Sequence, residues 1–184
     1  MKKKILSVIL LVCLLLCSLT SCFALPASRG ETVSKEEWID AFDLSDVQNM
    51  KIEVEVNETE NEDNFSLVGS VTYSDKVLKA KYTETAHGNS HEEEWEEECD
   101  PLDFSDIQEI GLDYIAGIIS HAYDVFEFSE DTGAYEHAMA MEDGIVAYVS
   151  VWFGNGNITK LAYSLELEND YAKASADATY KFTY

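Results

Sequence analysis

Met50-Lys51-Ile52-Glu53-Val54-Glu55-Val56 alternates without a fault, apolar side chains on even positions and charged ones on odd positions. A period of two sends these sets to opposite faces of an extended chain, so the stretch is a strand with one face buried and one in water. The pattern recurs outward from it. Phe65, Leu67, Val71 and Tyr73 line a second strand, and Leu78, Ala80 and Tyr82 a third. His91 to Cys99 makes a fourth, so acidic that it suits a sheet edge. Further on, Tyr135, His137, Met139 and Met141 alternate, then Ile145, Ala147, Val149, Val151 and Phe153, then Leu161, Tyr163, Leu165 and Leu167. The last strand places Ala172, Ala174, Ala176 and Ala178 on the face that carries Tyr180, Phe182 and Tyr184. The links are short. Ser74-Asp75-Lys76, Glu142-Asp143-Gly144, Gly154-Asn155-Gly156-Asn157 and Asn169-Asp170 are turn signals, and hairpin-length links make neighbouring strands antiparallel.

Two segments have helical spacing instead. Ser34 and Glu37 form an S-x-x-E capping box, with Val33 and Trp38 at the hydrophobic-staple positions, so a short helix starts there and ends near Asp43 to Asp46. Ile107, Ile110, Tyr114, Ile115, Ile118 and Ala122 predict a long helix from about Ser105 to Tyr123. Gly111 and Gly117 inside it each cost about 1 kcal/mol of propensity relative to Ala. That cost points to close packing, and the alanine face of the last strand is the natural partner. The expected fold is α+β: a single curved antiparallel sheet of about seven or eight strands, with one short N-terminal helix and one long central helix on its concave face.

The first 22 residues have a different character. Met1-Lys2-Lys3-Lys4 is a basic start, Ile5 to Leu16 is almost wholly apolar, and small residues follow. This is the layout of a secretory signal peptide, and the apolar run falls short of the ~20 residues a membrane span needs. Leu19-Thr20-Ser21-Cys22 resembles the lipobox of bacterial lipoproteins, in which the Cys is acylated and becomes the mature N-terminus. The resemblance implies residues 1–21 as signal peptide, Cys22 as the site of palmitate-type acylation, 22–32 as a tether and 33–184 as a single acidic domain. It also implies an extracytoplasmic place, lipid-anchored to the bacterial cell membrane. Several acyl chains anchor stably where one binds only marginally. Cleavage after Ala24 and secretion is the alternative.

The mature part is similar to a group of small, largely uncharacterised lipoproteins of Gram-positive bacteria. The carriers are Cys22, the Glu37-Trp38 helix leading to Asn49-Met50-Lys51-Ile52, and the hairpin from Val149 to Lys160. More distantly, the strand order resembles the lipoprotein-carrier fold, an open half-barrel of antiparallel strands that holds helices and an apolar cavity for acyl chains. No catalytic residues transfer from either resemblance.

All 36 acidic residues follow residue 30, and loss of the signal peptide removes Lys2, Lys3 and Lys4 from the 12 basic residues. The mature chain keeps nine basic residues against 36 acids, a formal charge of −27. Such a surface repels nucleic acid and anionic membrane and favours cationic or neutral partners. Cys99 is the one cysteine left in the folded part, so the domain is held by its core and not by a disulfide.

No catalytic, metal or cofactor motif emerges. There is no G-x-S-x-G elbow and no zinc or EF-hand spacing, although His87, His91 and the Glu-rich run from Glu92 to Glu98 gather ligand-type side chains. Two surfaces remain. Trp95 with Glu93 and Glu97 is a strip for a cationic protein or peptide partner. Tyr135, Met139, Met141, Tyr180, Phe182 and Tyr184 are a face for an apolar ligand. The sequence therefore points to a non-enzymatic binding or interaction module, with a carrier or sensor of an apolar, lipid-like ligand between sheet and helix as the alternative.

Overall fold

Alternating burial carries most of the chain through one antiparallel sheet. The computed structural model describes residues 33–60, 63–140, 145–168 and 173–184. The signal peptide, Cys22, the tether, Met141, Ala172 and the turns Glu142-Asp143-Gly144 and Asn169-Asp170 lie outside the described residues. The strands are β1 (Asn49–Glu60), β2 (Asp63–Ser74), β3 (Val77–Ala86), β4 (Asn89–Glu98), β5 (Glu127–Ser129), β6 (Ala134–Ala140), β7 (Ile145–Gly154), β8 (Asn157–Glu168) and β9 (Lys173–Thr183). They lie in the order β4-β3-β2-β1-β9-β8-β7-β6-β5, so two meanders are joined where β1 pairs with β9. The acidic strand β4 is an edge, as its composition requires.

Helix α1 (Lys35–Asp40) starts as the sequence predicts. The Ser34 side chain accepts from Glu37 N–H, and the Glu37 carboxylate accepts from Ser34 N–H at 2.7 Å. Trp38 points inward, is fully buried, and donates its indole N–H to Ile119 O at 3.0 Å. Its ring lies 5.1 Å from Phe126 and Phe153 and 5.5 Å from Tyr135, centroid to centroid.

The long central helix is not there. Asp103 caps a 3-10 segment, Phe104–Ile110, in which Ile107 is already non-helical (φ −117°, ψ 31°). Gly111 then turns left-handed (φ 72°), and helix α2 runs only from Leu112 to Ile119. The periodicity was real, but Gly111 resets its phase. Leu112, Ile115, Ala116 and Ile119 are buried, whereas Tyr114, predicted on the apolar side, is 41% exposed. Gly117 has open space where a Cβ would stand, and α2 comes close in backbone to the preceding 3-10 segment and not to β9. The predicted glycine-to-alanine groove is thus absent. The count of seven or eight strands is also corrected to nine among the described residues. β5 is three residues long, too short to alternate, and is defined only by its pairing with β6.

The helical segments pack on the sheet face that carries Ile52, Tyr180 and Phe182. Tyr180 donates its hydroxyl to Ile110 O at 2.9 Å, and Phe104 meets the edge of Phe182 with centroids 6.4 Å apart. One glycine is demanded by sheet geometry. A Cβ on Gly69 would overlap Lys81 O and Tyr82 Cβ of the paired strand.

Candidate functional site

Register defines the inner face from Met50, Ile52, Val54 and Val56 outward, and the same parity continues to Glu58. Two adjacent rows cross the sheet there. One reads Leu67, Val56, Ala178, Tyr163, Val149, His137. The other reads Phe65, Glu58, Ala176, Leu165, Ala147, Met139. Between Glu58 and His137 lies a largely apolar floor. The helical segments contact Tyr135, Phe153, Tyr180 and Phe182, and the short 3-10 turn Tyr123–Val125 reaches His137 through Val125 O. Exposure rises away from them along β1. Val56 is buried, Glu58 and its partner Phe65 are half-buried, and Glu60 and its partner Asp63 are exposed. That rise is confined to β1 and β2: across the same two rows Ala178, Tyr163, Val149, Ala176, Leu165 and Ala147 are core residues only 1–7% exposed.

Two polar atoms at the margins of this floor are buried and have no hydrogen-bond partner among the described residues: Glu58 Oε1 and His137 Nε2. Burial pushes the Glu58 carboxyl up to about 7, and the charge of Glu60 adds to the shift. In His137 the Nδ1 nitrogen lies 3.0 Å from Val125 O. A carbonyl only accepts, so Nδ1 carries the proton of that bond. Trp95 Nε1 is a third unpartnered buried atom, on the inner face of β4.

The inner face is also electrostatically one-sided. Glu58, Glu60, Asp63, Glu84 and Glu93 occupy inner-face positions of β1 to β4. Lys51, Lys79, Lys81, Lys160, Lys173 and Lys181 sit at outer-face positions of their strands. Among the described residues no lysine or arginine lies on the inner face.

The residues singled out from sequence fall in several places. Tyr135, Tyr180 and Phe182 are buried beneath the helical segments, and Tyr184 is 41% exposed. Met139 pairs with Ala147 on the inner face. Tyr180 is wholly enclosed, which with neighbouring Tyr163 holds its hydroxyl well above the usual phenol range. Glu93, Trp95 and Glu97 do share one face of β4, and it is the inner one. There Trp95 packs against the core and Glu93 accepts from the Tyr82 hydroxyl at 2.6 Å. Burial and the charges of Asp106, Glu97 and Asp100 push the Cys99 thiol up, away from reactivity. Among the described residues no group of three His, Cys, Asp or Glu side chains converges as a metal site.

A pocket of about 290 Å³ lies at the helix end, lined by Val33, Glu37, Phe128, Tyr135, Phe153 and the turn at Gly154-Asn155-Gly156. Its polar groups are engaged. Glu37 serves the α1 cap, and the Tyr135 hydroxyl accepts from Val33 N–H at 2.8 Å.

Sequence reasoning missed Glu58 because the apolar alternation it followed ends at Val56. The signal for Glu58 was its parity, in phase with Ile52, Val54 and Val56.

No protein-family model matches the chain, and no curated protein matches it. Among solved structures it is similar to the S-type phycobiliprotein lyase CPES from Guillardia theta. That match has 6% identity and a TM-score of 0.33, over 83% of this chain and 94% of that one. It is also similar to a protein described as AttH from Nitrosomonas europaea. Here the identity is 11% and the TM-score 0.30, over 86% of this chain and 57% of that one. Likenesses at this level are distant and carry no argument about function.

Proposed function

We propose that the chain is a membrane-tethered, non-enzymatic binding module that takes an apolar ligand between the sheet's inner face and its helical segments. The observation that carries this reading is the pair of buried, unpartnered polar atoms, Glu58 Oε1 and His137 Nε2, at the margins of a largely apolar inner face. Buried polar atoms in native proteins nearly always have partners, and an orphan calls for a ligand or a bound water. Ligand sites are mostly apolar with a few placed polar groups that fix orientation, which is this arrangement. The tether rests on Leu19-Thr20-Ser21-Cys22, whose acylation places the domain outside the cytoplasm at the membrane surface.

A second reading, docking of a cationic protein or peptide at the Trp95 strip, draws support from β4 as a sheet edge carrying Glu92, Glu94, Glu96 and Glu98 on its other face. The engagement of Glu93 with Tyr82 weakens it.

Native mass spectrometry of the purified chain separates the two. A stoichiometric apolar adduct, displaced on adding a ten-carbon alcohol, supports the ligand site. A bare mass that stays bare in excess decanol overturns it and leaves the Trp95 strip as the surface to probe.

A further inference from the structure

We propose that the pocket between helix α1 and strands β5 to β7 binds a quaternary ammonium group, held against the rings of Phe128, Tyr135 and Phe153 with Glu37 as its counter-charge. The pocket has the room, about 290 Å³, and Gly133 and Gly156 wall it without side chains. Among the described residues, nothing lies within 4 Å of where a Cβ on either glycine would stand. Neither Glu58 nor His137 lines it, so the site stands apart from the ligand proposed above.

The three rings are inclined to one another. Phe128 and Tyr135 meet at 58° with centroids 5.3 Å apart, and Tyr135 and Phe153 at 89° with centroids 5.8 Å apart. Rings set at such angles make a concave wall and not a stack, and the negative faces of aromatic rings attract a cation. Among the described residues Glu37 is the only charged side chain that lines the pocket. Its hydrogen bonds from Ser34 hold the carboxyl below its ordinary value, so it is ionised at neutral pH. Hydrogen-bonding capacity then decides which cation fits. Glu37 Oε2 accepts from Ser34 N–H, and the Tyr135 hydroxyl is bonded to both the N–H and the carbonyl of Val33. A primary ammonium brings three N–H donors that call for acceptors, and leaving them unmade is costly. A quaternary ammonium brings none. Its methyl groups pack on the rings, and the carboxylate answers its charge without a hydrogen bond.

The test uses the full chain near pH 7 in near-physiological salt, with choline binding followed by NMR of its N-methyl protons. The ring wall should move that resonance upfield, saturating at one site. Choline is expected to bind at least about tenfold more tightly than its uncharged isostere 3,3-dimethylbutanol, and more tightly than ethanolamine. Glu37→Gln removes the charge and keeps the cap, where glutamine serves as glutamate does. Phe128→Leu keeps an apolar side chain and removes a ring. Each should weaken choline at least about threefold, whereas Glu94→Gln on the outer face of β4 should leave it within about twofold. Phosphocholine binding more tightly than choline would support a phospholipid headgroup as the source of the group, and weaker binding a free quaternary amine. Equal loss in Glu37→Gln and Glu94→Gln would mean that choline senses only the acidic surface, and the inference falls. It falls too if Phe128→Leu changes nothing, if 3,3-dimethylbutanol or ethanolamine binds as tightly as choline, or if neither choline nor phosphocholine binds.

Discussion

Replacing Glu58 by Gln should stabilise the protein near pH 8, and the gain should fade toward pH 5. Burial and the charge of Glu60 raise this carboxyl from 4.5 to about 7 in the folded chain. In the unfolded chain it ionises near its ordinary value. Between those two values the folded state binds more protons, so stability falls as pH rises through that window and levels off above it. At 1.36 kcal/mol per pH unit, the full rise is worth about 3 kcal/mol. Glu58 is half-buried, and screening by the water it still meets brings this to about 1–2 kcal/mol. Glutamine keeps the shape and does not titrate. The assay is urea unfolding of both proteins at several values between pH 5 and pH 8. Repulsion among the other carboxylates is common to both and cancels in the difference. A stability difference between the two that is flat across the window would refute the placement of Glu58 on an apolar inner face.

Other substitutions probe the frame that holds the site. Gly69→Ala should cost about 1–3 kcal/mol, because its Cβ overlaps the backbone of β3, and a lower urea midpoint at unchanged slope reads it. Trp38→Phe should cost about 1–3 kcal/mol, since it removes the indole N–H bond to Ile119 O (which keeps the Ala122 N–H) and leaves space among the buried rings; thermal unfolding measures it. Gly111→Ala should cost about 1–2 kcal/mol for forcing a side chain into a left-handed turn, seen in the same melt. Cys22→Ser should abolish labelling by radioactive palmitate and move the chain from the membrane to the soluble fraction; unchanged partition would refute the lipid tether.

Strands were legible where a long alternation met a buried face. Ile52, Val54 and Val56 needed no tertiary information, and neither did Val149, Val151, Leu161, Tyr163 and Leu165. Legibility failed where another force decided. At residues 57–60 the side chains are polar, so pattern alone ends the strand, yet backbone pairing to β2 and β9 carries it on to Glu60. At Gly111 the helical spacing runs on through a residue whose backbone turns the other way, and spacing cannot see φ. The capping box at Ser34 was legible because it is local, its donor and acceptor three residues apart. The site was hidden for the opposite reason. Glu58 and His137 are far apart in sequence and separated by three strands in the sheet, and only the register sets them on one floor.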